Sequence, residues 1–157
     1  MKGRIRNIII GGVIALVLIQ FFQPARNINY GQDLKLDFIR IYKVPKNIVN
    51  TLQNSCYDCH SNNTRYPWYS RIQPGAWFMA NHIKEGKSEL NFSEFGNYSK
   101  RKRKSKLKEM ANQIKENEMP LTSYTLLHQN AILGNKQREE LINWIENTID
   151  KNSLKKQ

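Results

Sequence analysis

The chain has 157 residues, enough for one domain of ordinary size; 39% are apolar, and 25 basic residues against 13 acidic give a formal charge of +12. Its two cysteines, Cys56 and Cys59, lie too close together to staple distant parts of a fold, which excludes a disulfide-laced secreted scaffold. A single long apolar run excludes a polytopic membrane protein.

Lys2, Arg4 and Arg6 precede that run, which extends almost unbroken from Ile8 to Phe22. A basic flank ahead of an apolar stretch has the shape of an export signal. The run closes Ile19-Gln20-Phe21-Phe22-Gln23-Pro24, without the small residues of a cleavage site and without a lipobox cysteine. Residues 1–23 therefore read as an uncleaved signal-anchor forming one transmembrane helix, with a cleaved signal as the alternative. At about 1.5 Å per residue the run covers roughly 23 Å, short of a hydrocarbon layer of ~30 Å, and Gln20 and Gln23 would complete the span at the interface. Either reading exports the remainder, to the periplasmic (extracytoplasmic) side of a bacterial inner membrane. Residues 24–44, with Pro24, Asn27, Asn29 and Gly31, read as a linker lifting the domain off the membrane.

The domain proper is expected over residues 45–150, with 151–157 as a polar tail. Pro45 suits the first turn of a helix whose Ile48, Val49 and Leu52 fall at helical spacing and lead into Cys56. Residues 64–74, with Pro67 and Pro74, read as a loop. A second helix comes after Pro74, carries Trp77, Phe78 and His82, and is expected to stop near Gly86. Ser99 can cap a third, with Leu107, Met110, Ala111 and Ile114 on one face and its end marked by Pro120. The last is expected from Asn135 as N-cap, burying Leu141, Trp144, Ile145 and Ile149. No stretch alternates cleanly between polar and apolar, so the fold class is all-α.

Cys56-Tyr57-Asp58-Cys59-His60 is C-x-x-C-H, the attachment pattern of c-type haem. Two thiols can bond the two vinyl groups on one edge of a porphyrin, and the next residue then lies under the iron, where an imidazole nitrogen can coordinate it. Three alternatives compete. A thioredoxin-type redox pair normally comes after a strand, and no strand pattern precedes Cys56. Zinc needs four ligands, and neither a second C-x-x-C nor an H-x-x-x-H is present, although His82 or His128 could add to the three. A bare disulfide over so short a loop gains little. Haem also answers the lean apolar supply, since a buried porphyrin is itself core. For the second axial position Met79, Met110, Met119, His82 and His128 compete. Met119 is favoured because Pro120 should break the helix and leave its thioether on an irregular loop; His82 is next, and an open position is the third choice.

Cys56 to Thr64, Tyr66-Pro67-Trp68-Tyr69, Gln73-Pro74, His82-Ile83, Gly86, Leu90 to Ser93, Met119-Pro120, Tyr124, His128, Ala131 and Leu133 together resemble the bacterial haem-binding domain family related to cytochrome c. The resemblance spans about residues 35 to 150. It implies a cytochrome c-like helical domain around one covalent haem c, Cys56 and Cys59 as attachment points, His60 as proximal iron ligand and Met119 as the distal one. The chain departs from that pattern at Lys100 to Lys108, where seven of nine residues are basic. That stretch reads first as a solvated helix face and second as a docking surface for an acidic redox partner or anionic lipid; an exported protein meets little nucleic acid. The pocket wall is expected from Tyr66, Trp68 and Tyr69, and a carbonyl of Pro67 or Pro74 is a candidate to hold the other nitrogen of His60. The function these readings point to is single-electron transfer by a membrane-anchored c-type cytochrome domain, a carrier rather than a substrate-converting enzyme. Haem-based sensing with a displaceable distal ligand and a haem-free C-x-x-C thiol oxidoreductase are the alternatives.

Overall fold

Helical spacing of apolar residues organises the chain throughout. The computed structural model describes residues 1–154, and among these there is no strand, only one isolated bridge between Ile28 and Asn63. The helices are α1 (Lys2–Ile19), α2 (Phe38–Tyr42), α3 (Lys46–Ser55), α4 (Tyr57–His60), α5 (Gly75–Glu89), α6 (Lys100–Lys115), α7 (Thr122–Thr125) and α8 (Asn135–Leu154). Short 3-10 turns at Leu34–Leu36, Trp68–Arg71, Phe92–Asn97 and Gln129–Ala131 connect them.

The core forms where α6 packs on α8. Leu107, Met110, Ala111 and Ile114 line one face of α6, and Leu141, Ile145 and Ile149 the facing side of α8. Each of the leucine, isoleucine and methionine side chains contributes about 1.5–3 kcal/mol when fully buried, and the Ala111 methyl less. Phe38 completes the core: its ring is fully buried and lies 5.0 Å from Phe92, 4.9 Å from Phe95 and 5.8 Å from the half-buried Trp144. The separation and tilt of these rings suit the aromatic quadrupole.

Four expectations change. First, α8 runs to Leu154, so the expected tail 151–157 begins inside a helix; residues 155–157 lie outside the described residues. Second, residues 24–44 are not a free spacer. The Asn27 side chain donates to the Ser61 carbonyl (2.8 Å) and to Thr64 Oγ1 (3.0 Å), while Asp37 caps α2 by accepting from the Ile39 N–H and presents Phe38 to the core. Third, α5 continues past Gly86 to Glu89. Fourth, the transmembrane helix expected over residues 1–23 is not found: among the described residues no helix is long and apolar enough to cross a membrane. The helix stops at Ile19, and its first turns carry Lys2, Arg4 and Arg6. The uncharged part, residues 7–19, is about 20 Å long at 1.5 Å per residue, against a hydrocarbon layer of ~30 Å.

Candidate functional site

Cys56 breaks the path between α3 and α4, with φ −130° and ψ −43°, so the five residues from Cys56 to His60 straddle a kink. The N–H groups of Cys59 (3.2 Å) and His60 (3.0 Å) both donate back to the Cys56 carbonyl and wind the segment into one tight turn. Asp58 ties that turn to the loop after α4 and to α7. Its buried carboxylate accepts from the Arg65 backbone N–H (3.0 Å), from Arg65 Nε (3.1 Å) and from Tyr124 Oη (2.8 Å), and Thr64 Oγ1 donates to its carbonyl (2.6 Å). The Asp58 hydrogen bond holds the Arg65 guanidinium above its ordinary pKa, and burial pushes the Tyr124 phenol up. No local pattern in the sequence marks this network, because its members are 7 and 66 residues from Asp58.

Two cavities flank α4. The first, of about 240 Å³, is lined by Cys56, His60, Leu90, Phe92, Met110 and Met119 among others, with Lys106, Glu89 and Glu109 also on its wall. Lys106 is paired with Glu109 (2.9 Å) and Glu89 (3.3 Å). The second, of about 190 Å³, is lined by Cys59, Met79, His82, Tyr69, Tyr124 and His128, with Asp58 at its edge. Thus Cys56, His60 and Met119 meet at one cavity. Cys59 and His82 are brought to the other, so the runner-up for the distal position does not share the His60 cavity.

The three histidines are held differently. The Nδ1 of His60 lies 2.8 Å from the Gly86 carbonyl and 3.1 Å from that of Leu90, which makes Nδ1 the protonated nitrogen and leaves the Nε2 lone pair unused. The carbonyl thus comes from the far end of α5, not from Pro67 or Pro74. Gly86 stands inside α5 for steric reasons: a Cβ there would lie 2.9 Å from the Cys59 carbonyl oxygen and 3.3 Å from its carbon, so only glycine lets α5 approach α4. Burial holds His60 below the ordinary imidazole range, against the Leu90 and Gly86 carbonyls, which favour its protonated form. His128, by contrast, has both nitrogens engaged, by Tyr69 Oη (3.1 Å to Nε2) and the Tyr124 carbonyl (3.0 Å to Nδ1), and its ring stacks 4.0 Å from Tyr124. His82 packs edge-on to Phe78 at 4.2 Å.

Met119 is half-buried on a loop, but Pro120 does not end the helix. It ends five residues earlier, at Lys115, in a Schellman turn: Asn117 takes φ +61°, its N–H donates to Ile114 and the Glu118 N–H to Gln113. The Met119 N–H also donates to the Gln113 carbonyl (3.2 Å), which holds the residue at the cavity. Among the expected wall residues, Tyr69 lines the second cavity, Trp68 is 79% exposed and Tyr66 is half-buried. Leu90 and Phe92, which do line the first, stood out in the sequence only as part of the family resemblance, and Lys106 only as part of a basic stretch.

Cys56 and Cys59 are both free thiols. Burial, helped by the neighbouring Cys59, pushes the Cys56 thiol up to about 12; burial and Asp58 push Cys59 up to about 11. Both are protonated at neutral pH. A thiol oxidoreductase needs the opposite, a thiol lowered toward neutrality. Among the described residues no three His, Cys, Asp or Glu side chains gather as a metal-ion site, so the zinc alternative finds no ligand set. The donor set does fit a haem: Cys56, a neutral His60 imidazole with an open nitrogen and the Met119 thioether share one largely apolar cavity, and the second thiol, Cys59, follows one helical turn on, at the cavity across α4. Comparison with known proteins agrees at the level of the cofactor. The haem-binding domain family matches residues 14–147, while no curated relative and no solved structure matches the chain.

Proposed function

We propose, on the premise that this chain belongs to the haem-binding domain family, that it is a membrane-tethered c-type cytochrome carrying one covalent haem c and passing single electrons. A bound haem supplies an iron that cycles between Fe(II) and Fe(III) without bond-making on a substrate. In this reading Cys56 and Cys59 would form the thioethers, and His60, through Nε2, and Met119 would hold the iron. The observation that carries the reading is the His60 ring, whose Nδ1 is committed to the Gly86 and Leu90 carbonyls in a cavity whose wall includes Met119. A hydrogen bond on the second ring nitrogen fixes the tautomer and orientation that a metal ligand needs.

Met119 also separates electron transfer from sensing. A thioether held as ligand keeps the iron six-coordinate, whereas a displaceable one admits small gases. The tether is α1, every apolar side chain of which from Ile8 to Leu18 is exposed, with three basic residues in its first turns to meet anionic headgroups. An acidic redox partner would meet the exposed cations at the start of α6. That helix carries no acidic residue in its first turn, so its cations add to the positive end of its dipole.

The test is a pyridine haemochrome spectrum on protein matured with a haem-attachment system. A thioether-linked spectrum that survives acid-acetone extraction, with a reduced low-spin form resistant to carbon monoxide, is the expected result. Extractable haem would rule out covalent attachment, and rapid carbon monoxide binding would favour the sensor.

A further inference from the structure

The base of α1 is locked to the haem domain by a buried side chain outside the haem site. Gln73 is 3% exposed, and its polar groups are matched to the end of the apolar helix. The Gln73 N–H donates to Gln20 Oε1 (2.9 Å), Gln20 Nε2 returns a hydrogen bond to the Gln73 carbonyl (3.3 Å), and Gln73 Nε2 donates to the Phe22 carbonyl (2.7 Å). Its Oε1 accepts from the Trp77 N–H (3.2 Å), which secures the latch to the start of α5. Gln23 Nε2 adds a bond to the Arg71 carbonyl (3.1 Å). A buried amide with its donors and acceptors so matched resists opening, because each bond lost leaves a polar group to be resolvated.

The latch brings residues 68–73 to the foot of α1, where several large apolar side chains are uncovered. Phe21 is 79% exposed, Phe22 68%, Trp68 79% and Ile72 49%, with Arg71 exposed between them. Exposed aromatics beside a cation have the composition of a membrane–water interface, where the ring sits at headgroup level and the cation meets phosphate. The length of α1 adds a second argument. Its uncharged part is shorter than the hydrocarbon layer. So short an apolar stretch leaves no length to lift the domain away from the lipid that α1 enters, and the residues at its foot, an aromatic collar, are Phe21, Phe22 and, through the latch, the segment carrying Trp68 and Ile72.

We infer that the occupant of the collar is the lipid bilayer: the haem domain is held against the membrane surface in one orientation by the Gln20–Gln73 latch, with Phe21, Phe22, Trp68 and Ile72 at headgroup depth. This rests on the proposed lipid insertion of α1. It makes the domain a fixed fixture of the membrane face and not a head swinging on a spacer.

The experiment uses the haem-loaded full chain in vesicles of phosphatidylcholine with phosphatidylglycerol, floated to separate bound from free protein. Hydroxyl-radical oxidation of Trp68 is then read by mass spectrometry and normalised to the half-buried Trp144, which packs on the core. Trp68 in the wild-type chain should oxidise several-fold more slowly than in Gln20→Ala or Gln73→Ala in the same vesicles. Gln20→Ala leaves the domain interior untouched, so folding of that variant is not at issue. Oxidation of wild-type Trp68 at the rate of a fully exposed indole overturns the lipid-facing collar, and slow oxidation in every variant overturns the latch. A chain that does not float with the vesicles overturns the anchor and this inference together, whereas one that floats with Trp68 reactive leaves the anchor standing.

Discussion

The two cavities on either side of α4 differ in what their histidines have left to give. In the first, backbone carbonyls occupy one nitrogen of His60, and the other is open beside a wall of Leu90, Phe92, Met110 and Met119. In the second, side chains and backbone consume both nitrogens of His128, and Asp58, Arg65 and Tyr124 satisfy one another. A histidine becomes a ligand only where hydrogen bonding stops at one nitrogen. His60 in the first cavity thus has coordination to offer, and His128 in the second contributes rigidity.

The contrast is broken most severely at His60. His60→Ala should abolish the six-coordinate low-spin spectrum while leaving covalently attached haem, and His128→Gln should leave that spectrum unchanged; absorption spectra of the reduced proteins compare them. A lost low-spin form in the His128 variant would undo the distinction. Met119→Ala should next convert the reduced protein to one that binds carbon monoxide rapidly, while His82→Ala stays resistant. Stopped-flow mixing reads both, and the reverse pattern would move the distal ligand to the second cavity.

Gly86→Ala tests the approach of α5. Alanine is the better helix former by about 1 kcal/mol, but its Cβ meets Cys59 backbone that cannot swing aside, and overpacking of this kind costs about 1–3 kcal/mol. The clash should win, giving a net loss of up to about 2 kcal/mol by urea denaturation together with lower haem retention. The smallest effect belongs to Tyr124→Phe, which removes a hydrogen bond to a buried carboxylate that keeps its Arg65 partners. A loss of about 1 kcal/mol in stability is expected, with no change of low-spin spectrum. A spectral change there would mean that the second cavity reaches the iron.

The attachment turn is legible in the sequence because its chemistry is local: five consecutive residues contain both thiols and the imidazole. The helical faces of α6 and α8 are equally legible, since a 3.6-residue period states which side is buried before any partner is known. Gly86 misleads because glycine serves two purposes, ending helices and admitting close neighbours, and only the neighbour distinguishes them. Pro120 misleads in a similar way. It forbids a helix but does not say where the helix stops, and the left-handed Asn117 stops it first. Residues 24–44 look like a spacer because their composition is turn-rich, although Asn27 and Phe38 find partners far along the chain.

By itself, then, the sequence determined the helical class and the C-x-x-C-H donor set, because each depends on residues near one another in the chain, and membership of a haem-binding family, which rests on a pattern of residue types spread along it. Tertiary structure alone decided which nitrogen of His60 is open, that Met119 and not His82 shares its cavity, that the thiols are held protonated, and that Gln73 grips the foot of α1. Those outcomes depend on burial and on hydrogen bonds between residues tens of positions apart, and such pairings come into being only when the chain has folded.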